Sequence, residues 1–256
     1  MRGPALEGRV ALITGAASGQ GRAAAQVFAS EGASIVVFDL NDDGANETVA
    51  MIEKEGGAAM AVHADVARRV ECDAMIAAAV ETYGGLDVLY NNAAIQMSGT
   101  LVETTEAMWD ITIATNLTAI MRACRAAIPH MLRSGGGSII NTSSTLGQQG
   151  SEGYVAYGAA KAGLIALTRQ IAVEYGPEIR ANVIAPGSID TPRFRGVTAR
   201  LDDPDAFLEM LQRTIPLHRL GLADDIAQLA LFLASEASAY TTGAVIPCDG
   251  GLVAYR

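Results

Sequence analysis

The chain passes from an apolar run straight into a glycine-rich turn, Val10-Ala-Leu-Ile-Thr14-Gly15-Ala-Ala-Ser18-Gly19-Gln20-Gly21. A short run of this kind, ended by glycine, predicts a strand buried on both faces. Residues 22–31 have helical character, so the turn joins a strand to a helix. Glycines let a backbone approach a pyrophosphate, and a helix N-terminus offers it free N–H groups. Tight turns also need glycine, but this context favours a dinucleotide site that uses Gly15, Ser18, Gln20 and Gly21.

The second apolar run, residues 34–39, ends in an acid 18 residues after Gly21. An acid at this place accepts hydrogen bonds from the adenosine ribose hydroxyls and repels a 2′-phosphate. Leu40 follows Asp39 where a basic residue would favour the phosphate, and the glycine turn holds no Arg or Lys. These residues predict NAD rather than NADP as cofactor. The alternative is a surface Asp39 that only caps a turn.

Strand and helix patterns alternate along the whole chain. The predicted strands are continuously apolar, as expected when helices cover both faces of a parallel sheet. The pattern therefore predicts an α/β fold, a single-domain Rossmann-type doubly wound parallel sheet with helices on both faces. Strands are predicted at 10–14, 34–39, 58–64, 86–90, 138–141, 180–185 and 244–247, and helices at 22–31, 43–55, 71–83, 105–133 (one helix or two), 157–175 and 224–234.

No linker, repeat or low-complexity segment divides the chain. Residues 1–256 are therefore expected to form one NAD-binding catalytic domain. The exception to the regular pattern is residues 192–220, which contain prolines and several charges. This irregular stretch is either a substrate lid within the domain or a plain surface excursion.

Composition excludes several classes of function. A formal charge of −10 without a long basic block argues against nucleic-acid binding. Three widely spaced cysteines (72, 124 and 248) and three scattered histidines predict reduced thiols and no metal site. No apolar run approaches the ~18–20 residues that span a bilayer, and residues 1–9 lack a signal-peptide pattern. We expect a cytoplasmic protein that binds neither membrane nor nucleic acid.

Tyr157 and Lys161 lie four residues apart on a predicted helix and so share one face. A Lys ammonium stabilises a nearby phenolate and lowers the pKa of the Tyr, which makes it a usable acid and base. A Tyr and Lys at this spacing are also a common accident. Here, however, Ser143 and Ser144 follow a strand thirteen residues upstream, where a hydroxyl can hold a substrate oxygen, and Asn116 can anchor a proton-relay water.

Together these motifs resemble the short-chain dehydrogenase/reductase family, in its form of this length. The resemblance covers residues from Leu6 to about Leu252. The family's T-G-x-x-x-G-x-G turn, N-N-A-G segment, Y-x-x-x-K motif, P-G segment and C-terminal D-G-G correspond to residues 14–21, 91–94, 157–161, 186–191 and 249–251.

The resemblance implies a catalytic tetrad. Tyr157 would be the general acid and base, and Lys161 would lower its pKa and hold the nicotinamide ribose. Ser144, rather than Ser143, would position the substrate carbonyl or hydroxyl, and Asn116 would support a water that relays protons to Lys161. In this reading the protein moves a hydride between NAD and a secondary alcohol or ketone, such as a sugar, polyol or steroid-like compound.

The resemblance also assigns cofactor contacts and shows departures. Asp65 and Val66 would bracket the adenine, Asn92 and Ala93 would line the adenosine side, and Ile189 and Thr191 would hold the carboxamide beside Pro186 and Gly187. Gln20 replaces the family's usual Ile and is expected to alter cofactor seating. Ala94 and Cys248 replace a usual Gly and Val. Substrate-pocket candidates are Gln96, Ser144, Leu146, Gln149 and Tyr154.

Two other functions remain open from the sequence. One is a 3-oxoacyl thioester (acyl carrier protein) reductase, which would use Arg193, Arg195 and Arg200 to meet the carrier but usually prefers NADPH, against Asp39. The other is a non-catalytic dinucleotide sensor, although such proteins typically lose part of the tetrad. The resemblance further implies a homotetramer.

Overall fold

Seven parallel strands form the central sheet of the computed structural model, which describes residues 3–254. Residues 1, 2, 255 and 256, the ends of the domain predicted over 1–256, lie outside the described residues. Its strands are β1 Val10–Thr14, β2 Ser34–Asp39, β3 Ala58–His63, β4 Val88–Asn91, β5 Gly137–Thr142, β6 Ile179–Pro186 and β9 Val245–Cys248. Their order across the sheet is β3-β2-β1-β4-β5-β6-β9.

Helices cover both faces of this sheet. The helices are α1 Gly19–Ser30, α2 Asp42–Lys54, α3 Arg69–Tyr83, α4 Glu106–Ile113, α5 Ala119–Arg133, α6 Val155–Tyr175, α7 Pro192–Thr198, α8 Pro204–Thr214 and α9 Ala223–Ala234. One core layer packs α1, α2 and α9 against one face, and the other packs α3, α5 and α6 against the opposite face. Two layers form because the strands are apolar on both faces, and β1 is buried along its whole length.

The strand order reverses beside β1. β1 pairs with β2 on one side and with β4 on the other. In doubly wound sheets the crevice outside the carboxyl ends of the strands at such a switch point is where ligands bind. The predicted doubly wound fold is confirmed, and the seven predicted strands and six predicted helical stretches lie within three residues of the observed ones.

The predicted helix at 105–133 is two helices joined without a break in the chain's helical course. Residues Ala114–Thr118 between α4 and α5 form a π-helical turn. A π turn shifts the backbone hydrogen bonds by one residue, and such turns are frequent at functional sites.

The prediction that residues 192–220 are irregular was wrong for most of that stretch. Pro192 and Pro204 each stand at the start of a helix, where proline's missing N–H costs nothing. The side chains of Thr191 and Asp203 cap these helices by accepting from Phe194 N and Ala206 N. Two short parallel strands, β7 Ile189–Asp190 and β8 Gly221–Leu222, pair where the segment leaves and rejoins the domain.

Candidate active site

One cleft of about 830 Å³ opens at the carboxyl ends of the central strands. Of the catalytic, cofactor and substrate-pocket residues predicted from the sequence, all but Gly21 and Asn116 line it. The predicted residues that do are Gly15, Ser18, Gln20, Asp39, Leu40, Asp65, Val66, Asn92, Ala93, Gln96, Ser144, Leu146, Gln149, Tyr154, Tyr157, Lys161, Pro186, Gly187, Ile189 and Thr191.

The glycine turn is a cradle that side chains would fill. Gly15 has φ +69°, and a Cβ there would lie 2.9 Å from the Ala93 Cα. A Cβ on Gly21 would lie 2.2 Å from the Gly15 carbonyl oxygen, which explains why Gly21 shapes the turn from behind without lining the cleft. Asn92 ties the turn to β4, since its amide nitrogen donates to the Thr14 and Gly15 carbonyls.

α1 begins at Gly19, inside this cradle. Its first N–H groups have no partner within the helix, so they and the positive end of the helix dipole face the cleft. The Ser18 side chain at the helix start is exposed and makes no capping hydrogen bond. Gln20 Oε1 is buried and accepts no hydrogen bond from the described residues. An unpaired buried acceptor in a phosphate cradle is a place for a ligand's N–H or O–H group.

Asp39 is fixed at the end of β2 by backbone donors. Its two carboxylate oxygens accept from Ala17 N and Asn41 N, each at 3.0 Å. It therefore caps local turns, as the plainer of the two sequence interpretations held, while its carboxylate also lines the cleft. Arg22, the first basic residue after the turn, is engaged by Thr48, Glu47 and backbone carbonyls outside the cleft.

Asp65 and Val66 follow β3 on the same side of the cleft. The Asp65 side chain accepts from Ala67 N at 2.8 Å, and the Val66 carbonyl accepts from the Cys72 thiol. Both residues line the cleft next to Leu40. Their positions suit the edge of an adenine, because a fixed carboxylate and a backbone N–H can meet its polar groups.

Tyr157 and Lys161 lie together at the bottom of the cleft, on α6. Lys161 is 1% exposed, and its Nζ lies 5.6 Å from the centre of the Tyr157 ring. The ammonium donates to the Thr142 carbonyl oxygen at 2.7 Å, which links α6 to the end of β5. Sequence reasoning missed this carbonyl, because no pattern of residue types marks a backbone acceptor.

Burial dominates the titration of both groups. Burial, together with the positive charge of Arg193, lowers the pKa of Lys161 from its ordinary 10.5 to about 7. Burial raises the pKa of Tyr157, against the charge of Arg193 and a hydrogen bond from Ser144, which lower it. The expected lowering of the Tyr157 pKa is therefore not seen in the protein alone, where burial disfavours the charge on both partners, and a lowering by Lys161 stays a prediction for the complex with cofactor.

The two candidate serines face different ways. Ser143 donates its hydroxyl to the Lys161 carbonyl at 2.9 Å, so it braces the back of α6. Ser144 accepts from Leu146 N at 3.1 Å and also hydrogen-bonds Tyr157. Ser144 is thus the serine whose hydroxyl stands beside the Tyr157 phenol.

Asn116 lies in the π turn and is fully buried. Its side chain pairs with the backbone of Ile95, accepting from Ile95 N at 3.0 Å and donating to Ile95 O at 2.9 Å. The side chain is therefore used to hold the loop after β4. A relay water near Asn116 would need a backbone carbonyl of the π turn as its partner.

The segment after β7 closes the substrate end of the cleft. Arg193 reaches across to donate to the Ala94 carbonyl at 2.8 Å. Phe194, Phe207 and Leu211 line the cleft from α7 and α8. The sequence marked this stretch as a possible lid, but it gave no sign of which of its side chains would turn inward.

The cleft fits a dinucleotide. The glycine cradle leaves room for a pyrophosphate, an unpaired acceptor waits in Gln20, and an acid stands where a ribose would lie. Across residues 3–254 there is no cluster of three or more potential metal ligands. In the same part of the chain, no helix has the length and apolarity needed to cross a bilayer.

Comparison with known proteins agrees with this geometry. A family model described as enoyl-(acyl carrier protein) reductase matches residues 15–253. The chain is 40% identical to a 3-oxoacyl-[acyl-carrier-protein] reductase of Thermotoga maritima, over 97% of this chain and 99% of the relative. It is 42% identical to a 2,5-dichloro-2,5-cyclohexadiene-1,4-diol dehydrogenase of Sphingobium indicum, over 96% of each chain. The crystal structure of levodione reductase superposes with a TM-score of 0.94 at 34% identity, covering 97% of this chain and 99% of the other.

Proposed function

The chain belongs to the short-chain dehydrogenase/reductase family of oxidoreductases, and from this premise we propose that it is an NAD-dependent enzyme acting on a secondary alcohol or its ketone. The observation that carries the proposal is the buried Tyr157 with Lys161 and Ser144 beside it, in the same cleft as the glycine cradle. A fold alone would not specify this chemistry.

The nicotinamide, when bound, supplies the hydride acceptor or donor. Ser144 holds the substrate oxygen by a hydrogen bond, next to the Tyr157 phenol. In the oxidative direction the Tyr157 phenolate takes the proton of the substrate hydroxyl, while the hydrogen on the same carbon leaves as hydride and a ketone forms. In the reductive direction Tyr157 returns that proton to the oxygen.

Lys161 assists by position and charge. Its ammonium, held by the Thr142 carbonyl, lies close enough to Tyr157 to stabilise a phenolate. The same group would hold the nicotinamide ribose. Protons would reach Lys161 through a water on the backbone of the π turn, since the Asn116 side chain is already paired with Ile95.

We propose NAD rather than NADP as the cofactor. The charged residues lining the adenosine end of the cleft are Asp39 and Asp65, both acidic. A 2′-phosphate would meet the Asp39 carboxylate, and Arg22 is held elsewhere. Pro186, Gly187, Ile189 and Thr191 would receive the nicotinamide end.

A 3-oxoacyl thioester reductase is the second candidate. It is favoured by the Thermotoga relative and by the description of the matching family model. Asp39 opposes it if NADPH is the reductant. Of the three arginines that could meet a carrier protein, Arg195 is paired with Asp190, and Arg193 faces the cleft. A sensor without catalysis fits less well, because the tetrad residues are all present.

The assembly we propose is a homotetramer. Large apolar side chains are exposed on the helices α4, α5 and α6, among them Trp109, Met121 and Val173, and β9 lies at the edge of the sheet, paired only with β6 among residues 3–254. Apolar surface and a free strand edge favour association. Light scattering after gel filtration would measure the mass. The unpaired Cys72, Cys124 and Cys248 also fit a reducing compartment such as the cytoplasm.

The first experiment measures absorbance in the nicotinamide band, with NAD⁺ and NADP⁺ in parallel. The alcohols tested are sugars, polyols, hydroxysteroids, aromatic diols and 3-hydroxyacyl thioesters. We expect turnover with NAD⁺ and little with NADP⁺. Turnover of thioesters with NADP⁺ alone would favour the second candidate, and failure to bind NADH by fluorescence titration would reject the proposal.

A further inference from the structure

The charged residues that line the cleft are divided by sign. Asp39 and Asp65 stand at the adenosine end, and Lys161 and Arg193 stand at the substrate end. The protein as a whole carries a formal charge of −10. In so acidic a chain, positive charge at the substrate end of the cleft has to be supplied by individual side chains. A concave surface with positive charge attracts anions.

Arg193 holds its charge without a carboxylate partner among residues 3–254. Its guanidinium donates to the Ala94 carbonyl at 2.8 Å and to Gln96 Oε1 at 3.4 Å, and both acceptors are neutral. Arg195, two residues along the same helix, instead forms a bidentate ion pair with Asp190, with N···O distances of 2.6 and 2.7 Å. The two neighbouring arginines therefore differ in their partners. A carboxylate neutralises Arg195, whereas Arg193 carries its charge into the cleft with neutral partners.

The Arg193 guanidinium acts on the reacting groups. Its charge opposes the effect of burial on the pKa of Tyr157 and adds to the effect of burial on the pKa of Lys161. Arg193 thus faces the same space as the catalytic phenol. The second contact, to Gln96, is long for a hydrogen bond, so a better acceptor can replace it.

One amide side chain contacts this charge, and another lines the same cleft. Gln96 accepts from Arg193 through its Oε1, and Gln149 is among the lining residues. A planar guanidinium matches the two oxygens of a carboxylate, which it can hold by parallel hydrogen bonds. An uncharged hydroxyl would leave most of these donors unused.

We propose that Arg193 binds a carboxylate, or an equally small anionic group, on the substrate, so that the compound oxidised is a hydroxy acid and its product an oxo acid. The inference rests on the proposed function, because it names the substrate class of that same site. The carboxylate is not altered in the reaction. It exchanges the neutral partners of Arg193 for charged oxygens and fixes the carbinol carbon beside Tyr157.

The test compares acids with their esters. Short 2- and 3-hydroxy acids and their methyl esters are assayed with NAD⁺, and acetoacetate and methyl acetoacetate are titrated into the enzyme–NADH complex by NADH fluorescence. We expect the acids to be bound and turned over in preference to the esters. In Arg193→Gln, kcat/KM and binding should fall roughly 10- to 100-fold for the acids and little for the esters.

Arg200→Gln is the matched control, because Arg200 lies in the same segment, is exposed and does not line the cleft. It should keep the preference for acids. The dissociation constant of NADH, measured for both variants, separates a substrate anion from a cofactor phosphate, and should stay unchanged in Arg193→Gln.

Three results would overturn the inference. If esters or thioesters are bound and turned over as well as the acids, the site does not recognise an anionic group. Equal losses for acids and esters in Arg193→Gln would make Arg193 a latch for the segment after β7, and weaker NADH binding would make it a phosphate ligand. All three leave NAD-dependent turnover in place, whereas a protein that binds no NADH would reject the proposed function itself.

Discussion

The two ends of the cleft are built in different ways. At the adenosine end, the polar side chains are fixed by the backbone of neighbouring turns, as Asp39 is by Ala17 N and Asn41 N. At the substrate end, the groups come from distant parts of the chain, and Arg193 meets a carbonyl 99 residues away in sequence. The positions of the groups at the adenosine end are set by residues close to the ends of the strands. The positions of the groups at the substrate end depend on how α6 and the segment after β7 pack.

This difference separates binding from chemistry. A change at the adenosine end should alter which cofactor binds and how tightly, because its groups touch only the nucleotide. A change at the substrate end should alter turnover while the cofactor still binds. The four predictions below test that separation, from the largest expected effect to the smallest.

Tyr157→Phe should abolish most of the turnover and leave cofactor binding unchanged. Removing the phenol takes away the group that exchanges a proton with the substrate oxygen, and such catalysis contributes typically 10²- to 10⁴-fold. We expect kcat to fall by about that factor, with the NADH dissociation constant unchanged in a fluorescence titration. Tyr175→Phe, at the other end of the same helix, is the control and should keep full activity. Normal turnover by Tyr157→Phe would reject the mechanism.

Lys161→Met should lower turnover and also reveal the cost of a buried charge. Burial lowers the pKa of Lys161 to about 7, so between pH 7 and 10.5 the unfolded chain binds more protons than the folded one. The free energy of unfolding of the parent protein therefore rises with pH across that window. Each pKa unit is worth about 1.4 kcal/mol, so the variant should be the more stable one below pH 7, by an amount that shrinks toward pH 10.5.

Urea unfolding at several pH values measures this effect. Lys54→Met is the matched control, since Lys54 is the chain's other lysine and is exposed at the end of α2. Its stability should follow that of the parent at every pH. A Lys161→Met variant that gains nothing at low pH would show that the ammonium is well compensated in the fold.

The adenosine end could be predicted from sequence because its parts are short and contiguous. A strand that runs into glycines, and an acid at the end of the next strand, identify Gly15, Gln20 and Asp39 without tertiary information. The fold could be predicted for the same reason, because continuous apolar runs typical of strands alternate along the chain with helical patterns. Even there, the backbone donors that fix Asp39 came only from the structure.

The substrate end resisted prediction because its contacts are not local. The prolines of the stretch 192–220 suggested irregular chain, yet Pro192 and Pro204 begin helices. The pKa of Tyr157 is raised, opposite to expectation, because burial, which spacing does not reveal, outweighs the charge of Arg193 and the hydrogen bond of Ser144. No residue pattern pointed to the Thr142 carbonyl or to the inward direction of Arg193.

Asp39→Asn should change the choice of cofactor without touching catalysis. The change keeps the shape and one acceptor but removes the charge that repels a 2′-phosphate, so the preference for NAD over NADP in kcat/KM should narrow roughly 10-fold or more. Asp43→Asn, exposed on α2 and outside the cleft, is the control. If the ratio is the same in all three proteins, Asp39 caps its turns and does not read the ribose.

Gln20→Leu should give the smallest effect, and it should change the stability of the protein and its affinity for the cofactor in opposite directions. Gln20 Oε1 is buried and accepts no hydrogen bond from the part of the chain that the structure describes, and an unsatisfied group of this kind costs about 1–3 kcal/mol. An apolar side chain of similar size should therefore raise the free energy of unfolding of the protein alone, measured in urea. If the cofactor donates a hydrogen bond to that oxygen, the same change should weaken NADH binding several-fold. A gain in stability with unchanged NADH affinity would mean that the Gln20 oxygen is a packing defect and not a contact for the cofactor.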